Sequence, residues 1–495
     1  MDQQTGPAAP TERAAAQPVE AASRLVAMDV ARGIALLGIF FVNIQLFAMP
    51  FGTYMQRGPE SDDALTTLCY YFVKIFCEAK FYTLFSTLFG MGLVLQMHSV
   101  IGRGGSFYAV YARRLLWLLA MGLLHALLLW YGDILFVYGL CGIVLLLCAR
   151  AGARVLLGVG AGLVLFGAVA LAFLMALDQF GQSVQQTPIA AEALRADAAP
   201  AEAPTDAPPP IPNEDESSAA PDGPGESEAH AAPAEAPTDD KDKPRSPIVR
   251  LFRGFEDGSG RQPNSATWMD AETEAYRDGP YLQAFLFRAM SWGMMFISFV
   301  FGFGWHVLGM FFIGAGLLKA GLLSPTGAAW QARLALLGAL VGIPIATASA
   351  LLSSTPDATW WGMGLSALLL MISGPLVALM YLCTVAIIVR NGVLAPVTWV
   401  LANVGRMALT NYIMQTLVAT FVFYHWGLAQ FGSWSRPERC ALVLAVFAAQ
   451  CVISPLWLSV FRFGPLEWVW RSVTYLKPQP MLRTAGQADH PEPVS

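Results

Sequence analysis

Ten long runs of apolar residues, each with few or no charges, constrain the fold of this chain more than any other feature. A helix needs about 20 largely apolar residues to cross the hydrocarbon layer, and lipid offers a backbone no hydrogen-bond partners, so such runs form helices. The runs cover residues 29–47, 81–97, 115–130, 134–149, 155–177, 290–318, 334–352, 361–389, 404–426 and 440–461. We therefore predict an all-α, polytopic helical bundle in a lipid bilayer, with about ten transmembrane helices.

The composition excludes several other classes of protein. Hydrophobic residues make up 55% of the chain and charged residues 13%, whereas soluble domains carry about 25% charged residues. The net charge of -5 comes mainly from carboxylates between residues 190 and 274, so it belongs to one segment, and we expect no nucleic-acid partner. The seven cysteines form no CxxC pair and have no metal-site spacing, so we predict small core residues and no metal site.

The basic residues of the short connections fall consistently on one side of the expected bundle. Because such residues stay in the cytoplasm, both termini should be cytoplasmic, in the inner membrane of a bacterium. The residues are Arg103, Arg113, Arg114, Arg150, Arg154, Lys319, Arg333, Arg390, Arg406, Arg462, Arg471, Lys477 and Arg483.

Two membrane halves, 25–181 and 266–477, are separated by a segment of different composition. Residues 182–265 are rich in Ala, Pro and acidic side chains and poor in large apolar ones, which predicts a disordered extracytoplasmic loop. Residues 1–24, which lack the pattern of a cleaved signal, and 478–495 should be cytoplasmic tails, the first of them disordered. Aromatic residues after the loop, such as Trp268 and Tyr276, suggest an interfacial helix before span six.

Polar side chains inside apolar spans are costly and therefore mark functional positions. Asn43 lies toward the outer end of span one, and His125 lies in the outward half of span three, with Asp133 at the mouth. The helical rise places His125 about 9 to 12 Å from Asp133, too far for a direct hydrogen bond unless the connection folds back. The alternative is an interhelical hydrogen bond that only holds the bundle together.

Four other polar residues lie at the same outer end of the bundle, whereas His306 lies elsewhere. Glu78 and Lys80 at the edge of span two, with Tyr424 and His425 after span nine, complete a possible outward site. His306 lies alone in a glycine-rich run, which favours a packed or capping histidine.

A second group of polar residues gathers at the expected cytoplasmic face. Arg32, Arg113, Arg114 and Arg406 lie at the starts of spans one, three and nine. A guanidinium binds two oxygens of a phosphate at once, so these residues are candidates for holding a phosphorylated cofactor. The alternative is that they set topology and extend to lipid head groups.

Five segments carry a resemblance to a known family. They are MDVARGIALLGIFFVNI from Met28, KFYTLFSTLFGMGL from Lys80, GLLHALLLWYGDILFVYGL from Gly122, GRMALTNYIMQT from Gly405 and GPLEWVWRSVTY from Gly464. The chain resembles the bacterial inner-membrane YeiB family, whose C-terminal part is a domain of unknown function. The resemblance covers nearly the whole chain except the acidic loop and the tails.

The opening of the chain is also similar to transmembrane acyltransferases, the acyltransferase-3 proteins and the heparan-α-glucosaminide N-acetyltransferase. Arg32, Gly33 and Asn43 match their first-span pattern. The resemblance implies transfer of an acyl group from cytoplasmic acyl-CoA to a carbohydrate on the far side. The histidine that the heparan enzyme places after this Asn has no counterpart, because residues 44–63 contain no histidine.

If acyl transfer needs a base here, His125 is the substitute, because imidazole titrates near neutral pH. Asn43 would then donate a hydrogen bond to the developing oxyanion. The function expected first is thus a membrane acyltransferase with acyl-CoA as co-substrate and a glycan or lipid acceptor. Two alternatives stay open, a small-solute transporter in which His125, Asp133 and Asn43 line the path, and an envelope membrane protein without enzymatic activity.

Overall fold

The computed structural model describes residues 18–102, 107–185, 265–355 and 359–483. Within these ranges the chain is built of helices and short connections, and one isolated bridge, between Phe461 and Leu482, is the sole β-type pairing. The prediction of an all-α helical bundle is confirmed. Residues 1–17, most of the predicted loop 182–265 and residues 484–495 lie outside the described ranges.

The helices are numbered here in chain order. The first half contains α1 Pro18–Ala48, α2 Phe51–Met55, α3 Ala64–Phe72, α4 Phe81–Gly102, α5 Phe107–Leu128, α6 Leu135–Leu147 and α7 Ala153–Gln185. The second half contains α8 Ala266–Arg277, α9 Tyr281–Ser298, α10 Gly304–Lys319, α11 Ala328–Leu337, α12 Ile343–Ser353, α13 Trp360–Arg390, α14 Ala395–Arg406, α15 Ala408–Phe423, α16 Arg436–Val460 and α17 Pro465–Tyr475. Short π-helical turns continue α9 into α10 and α11 into α12.

Seven helical segments of the described chain are long and apolar enough to cross a membrane. They are Val26–Ala48, Phe107–Leu128, Ala153–Gly181, Tyr281–Lys319, Pro325–Ser353, Trp360–Arg390 and Arg436–Val460. The shorter apolar helices α6 and α15 and the 22-residue α4 coincide with the other three expected spans. All ten apolar runs are therefore helical.

The expected ninth span, residues 404–426, differs from the structure because the helix breaks at Met407. Glu467 of α17 accepts hydrogen bonds from the backbone N–H groups of Leu409 (2.7 Å) and Thr410 (3.0 Å). A carboxylate that satisfies the free N–H groups of a first turn defines a new helix N-terminus. The sequence pattern could not reveal this break, since the capping residue lies more than 50 positions downstream.

Helix α1 occupies the centre of the bundle, and α14 crosses it at very short distance. A Cβ atom at Gly33 would overlap the carbonyl oxygen of Leu401, and one at Gly405 would overlap that of Asp29. The two backbones therefore touch, which only glycine permits. This contact fixes Arg32 of α1 beside Arg406 and Asn403 of α14.

The chain divides into two compact units. Met1–Phe180 together with Pro247–Ser495 form the first unit, which holds all the contacts discussed below. The second unit, Gly181–Ser246, falls almost entirely outside the described residues.

A helix, α8, is present before the sixth expected span. Its Trp268 and Tyr276 are 1% and 0% exposed and pack in the protein core. The ring of Tyr276 stacks on that of Tyr424, 4.6 Å between centroids. The aromatic content of this segment thus reflects tertiary packing.

Candidate functional site: an arginine-lined cavity beside a buried histidine

A cavity of about 1050 Å³ lies between α1, α4, α5, α6, α14, α15 and α17. Its walls change character along its length, with charged side chains at one end and apolar side chains at the other. We call these the basic end and the apolar end. Cavities of this size hold small-molecule ligands.

Six arginines line the basic end, together with two carboxylates. The arginines are Arg32, Arg114, Arg406, Arg462, Arg471 and Arg483, and the acids are Asp29 and Glu467. The walls therefore carry a formal excess of four positive charges. An enclosed excess of one sign attracts and concentrates ligands of the opposite sign.

The two carboxylates are engaged with the protein. The oxygen Oδ1 of Asp29 lies 2.6 Å from Nη1 of Arg32. Glu467, besides capping α15, accepts the hydroxyl of Thr410 at 2.5 Å. Both acids thus have partners within the protein.

Outside the spans, α17 places ionisable groups in partly buried positions at the cavity wall. Burial raises the pKa of Glu467 above its usual value, although hydrogen bonds from Thr410 oppose the effect. Burial, followed by the positive charge of Arg114, lowers the pKa of Arg471 to about 10. Arg471 therefore stays charged at neutral pH but poorly solvated, a state that an anionic ligand would relieve.

The apolar end is formed by side chains from five helices. They are Leu36, Ile39, Phe85, Leu88, Phe89, Leu118, Leu135, Tyr138 and Tyr412. From Arg32 to Ile39 the helical rise of α1 corresponds to about 10 Å. The cavity therefore suits an elongated ligand with an anionic head and a less polar extension.

His125 lies directly behind this apolar end. Its ring centroid is 5.2 Å from that of Tyr412, which lines the cavity. Its Nδ1 atom is 2.8 Å from Oδ2 of Asp133, and its Nε2 atom is 3.0 Å from the hydroxyl of Thr416. A buried carboxylate, imidazole and hydroxyl are thus joined in a row.

His125 and Asp133 meet because the connection between α5 and α6 folds back, the one case in which the sequence allowed a direct hydrogen bond. Helix α5 ends at Leu128, and the N–H of Trp130 returns to the carbonyl of His125 at 2.9 Å. Asp133 then accepts the N–H of Phe136 at 2.8 Å at the start of α6. Gly122 permits the fold, since a Cβ there would lie 2.7 Å from Oδ1 of Asp133.

The row of contacts determines where the protons lie when the imidazole is neutral. An ionised carboxylate only accepts hydrogen bonds, so Nδ1 of His125 carries the proton toward Asp133. The lone pair is then on Nε2 and accepts the O–H of Thr416. This is the arrangement in which a carboxylate orients an imidazole to act as a base.

The structure brings three of the four predicted arginines into the cavity. Arg32, Arg114 and Arg406 line its basic end. Arg113 is not part of the cavity wall, although its Nε donates to the carbonyl of Thr474, a residue of that wall, at 2.9 Å. Its neighbour Arg114 lies 4.1 Å from the ring of Trp470. Two consecutive arginines therefore serve different purposes, which sequence alone does not reveal.

Asn43 is half-buried on α1 and is not part of the cavity wall. Both ring nitrogens of His125 are taken by Asp133 and Thr416 instead. The described structure thus does not bring Asn43 to the histidine that it was expected to assist.

Sequence reasoning missed several residues of the site. Arg471 and Trp470 belong to the segment GPLEWVWRSVTY, and Tyr412 and Thr416 to GRMALTNYIMQT. In these segments the sequence pointed to Arg406 as a candidate phosphate ligand and to Arg471, like Arg462 and Arg483, as a topology determinant. The sequence signal that could have identified these site residues is the high density of polar residues in the two segments.

The other outward polar residues form separate contacts. Glu78 accepts the hydroxyl of Tyr54 at 2.9 Å and pairs with Lys74 at 3.0 Å. The backbone N–H of His425 donates to the carbonyl of Tyr276. His306 is buried, with Nε2 2.9 Å from the hydroxyl of Thr83, as expected of a packed histidine.

Glu272 of α8 is a buried acid outside the spans. Its Oε2 accepts the N–H of Phe51 at 3.1 Å, and burial raises its pKa to about 7. A carboxyl whose pKa is raised on folding stabilises the protein fully below the unfolded pKa. This stabilisation is lost as the pH rises through the folded pKa.

We expect wild-type stability to fall between about pH 4.5 and pH 7, and Glu272→Gln to remove this fall. At pH 8 the variant should be more stable by up to about 3 kcal/mol, since each pKa unit corresponds to about 1.4 kcal/mol. Thermal unfolding of purified protein from pH 5 to pH 8 measures the difference. Asp278→Asn, at an exposed acid of the same segment, should keep the wild-type profile. Parallel profiles for wild type and Glu272→Gln would contradict the assignment.

Comparison with known proteins gives a family and relatives. The model of the family "Protein of unknown function (DUF418)" matches residues 317–477, a region that includes Arg406, Tyr412, Thr416 and Arg471. The "Uncharacterized protein YxaH" of Bacillus subtilis is 29% identical over 478 residues, 94% of this chain and 98% of the relative. The "Uncharacterized protein YeiB" of Escherichia coli is 29% identical over 475 residues, with the same coverage. No solved structure matches the chain.

Proposed function

We propose that this chain, a YeiB-like polytopic membrane protein, moves an acyl group from cytoplasmic acyl-CoA to an extracytoplasmic glycan or lipid acceptor. The supporting observation is the cavity itself, whose basic end suits the phosphates of CoA and whose apolar end terminates beside His125.

Acyl-CoA matches the cavity in charge and in shape. Its phosphates would meet the excess of arginines, where guanidinium groups form paired hydrogen bonds with phosphate oxygens. Its less polar pantetheine arm would follow the apolar walls past Leu36 and Leu118. The thioester at the end of this arm would then arrive near Tyr412.

The row Asp133, His125 and Thr416 supports the chemical step. Asp133 holds the Nδ1 proton, so Nε2 is the basic atom. The hydroxyl of Thr416 occupies the position from which an O–H donates to Nε2. An acceptor hydroxyl that reaches this position, or exchanges its proton through Thr416, would become a nucleophile as His125 removes its proton.

The direction of transfer follows from the distribution of basic residues. Arginines remain on the cytoplasmic side of bacterial inner membranes, so the basic end would face the cytoplasm. His125 lies farther along α5, toward the opposite face. An inner-membrane location and a donor that enters from the cytoplasm are therefore parts of this proposal.

Acyl-CoA binding should depend strongly on Arg114 and much less on its neighbour Arg113. Arg114→Gln removes a charged hydrogen-bond donor, worth about 1.5 to 3 kcal/mol, so affinity should fall roughly 10-fold to 100-fold. Arg113→Gln, matched in chemistry but outside the cavity, should bind nearly as wild type. Calorimetric titration of detergent-solubilised protein with acetyl-CoA measures both.

The same titration separates the proposal from its alternatives. Wild-type protein that neither binds acetyl-CoA nor transfers a labelled acyl group to envelope glycans in vesicles would refute the acyltransferase function. Saturable uptake of a small anion by such vesicles would then favour the transporter. Equal losses of affinity for the two arginine variants would contradict the placement of the donor.

A further inference from the structure

We infer that the hydroxyl of Tyr412 is the hydrogen-bond donor that polarises the carbonyl of the bound thioester. The inference rests on the proposed function and assigns a catalytic role to a residue that sequence reasoning did not select. It is supported by the position of the Tyr412 ring and by the lack of a hydrogen-bond acceptor for its hydroxyl. It is also supported by the hydrogen bonds that other donors near the cavity already make.

The ring of Tyr412 separates the cavity from the buried histidine. It lines the apolar end on one side and lies 5.2 Å from the His125 ring on the other, at an interplanar angle of 45°. Its helix begins at the turn that Glu467 caps. A reacting carbonyl at the closed end of the cavity would therefore lie against this phenol, with His125 on the other side of the ring.

The hydroxyl of Tyr412 is buried, and although the backbone N–H of Ile134 approaches its oxygen, no acceptor for its O–H is found among the residues that the structure describes. Leaving such a group unpaired costs about 1 to 3 kcal/mol. Buried polar atoms are rarely left in this state, and those that are often have a functional reason. A ligand carbonyl at the apolar end would supply the missing acceptor.

The other donors near this end of the cavity are already used. The hydroxyl of Tyr138 is 2.9 Å from that of Ser86 and donates to the carbonyl of Tyr82 at 2.9 Å. Asn43, first expected to stabilise the oxyanion, does not line the cavity. Tyr412 therefore takes the role that the sequence had suggested for Asn43.

In the proposed acyl transfer, the acceptor oxygen attacks the thioester carbon while its proton passes to Nε2 of His125. The C=O electron pair moves to the carbonyl oxygen, where the Tyr412 O–H stabilises the negative charge. The intermediate collapses as the C–S bond breaks, and the proton moves from His125 to the leaving sulfur, which gives the acyl ester and free CoA.

The test is Tyr412→Phe, which keeps the aromatic ring and removes only the hydroxyl. Removal of one oxyanion donor lowers kcat by about 100-fold to 1000-fold. The infrared band of a ¹³C-labelled acetyl-CoA carbonyl should lie at lower frequency on wild-type protein than in water and return toward the value in water on the variant. Affinity for a thioether analogue that lacks the carbonyl should be the same for both proteins.

Tyr381→Phe is the matched control, since it removes a hydroxyl that donates to the carbonyl of Phe76 at 3.0 Å and lies outside the cavity wall. It should leave the carbonyl band unchanged. A band that is identical on wild type and Tyr412→Phe, with acetyl-CoA bound to both, overturns this inference and leaves the proposed function standing. Wild type that binds no acetyl-CoA overturns both.

Discussion

Replacing His125 by Gln should reduce acyl transfer by about 100-fold to 10,000-fold, the usual contribution of a general base. The substitution is nearly silent for structure, because the amide N–H₂ can donate to Asp133 and the amide oxygen can accept from Thr416. What it removes is the ability to take up a proton at neutral pH. The assay is transfer of a labelled acyl group from CoA to envelope glycans in vesicles, with thermal stability measured in parallel.

A matched control separates catalysis from packing at this position. His306→Gln changes another fully buried histidine, bonded to Thr83 and remote from the cavity wall, so it should leave transfer at the wild-type level if the protein folds. Unchanged acetyl-CoA affinity in His125→Gln would place the loss in the chemical step. A His125→Gln protein that transfers at the wild-type rate would show that this histidine only joins helices.

Gly405→Ala should cause the largest loss of stability among the substitutions considered. A Cβ at this position would overlap the backbone of Asp29, and a backbone cannot swing away as the end of a side chain can. Overpacking of a dense interior costs about 1 to 3 kcal/mol and sometimes more, and this site should lie at or above the upper value. The apparent melting temperature should fall by roughly 4 °C or more.

Gly162→Ala provides the comparison for this prediction. It changes glycine to alanine in α7, where a Cβ would meet nothing within 4 Å. Because alanine has the higher helix propensity, its effect should be neutral or slightly stabilising. Thermal unfolding in one detergent measures both variants, and equal melting temperatures would contradict the close crossing of α1 and α14. Gly405→Ala should also weaken acetyl-CoA binding, since that crossing places Arg32 beside Arg406.

The sequence by itself determined the membrane helices. Long apolar runs admit one solution in lipid, because each backbone N–H and C=O must be paired inside its own segment. All ten runs are accordingly helical, and the basic residues Arg32, Arg114 and Arg406 were correctly grouped at one end. The YeiB-like resemblance was also confirmed, since the DUF418 family model matches residues 317–477 and YxaH and YeiB are each 29% identical to the chain.

The tertiary structure alone decided which polar residues meet. Hydropathy cannot show that the connection after α5 folds back, which brings His125 and Asp133 to 2.8 Å from each other. It cannot distinguish Arg113 from Arg114, since the direction of a side chain depends on which helix lies opposite. The pairing of Thr416 with His125 and the capping of α15 by Glu467 likewise join distant parts of the chain. A single helix fixes its own backbone hydrogen bonds, whereas contacts between helices depend on how all of them pack, and the cavity exists only in that packed arrangement.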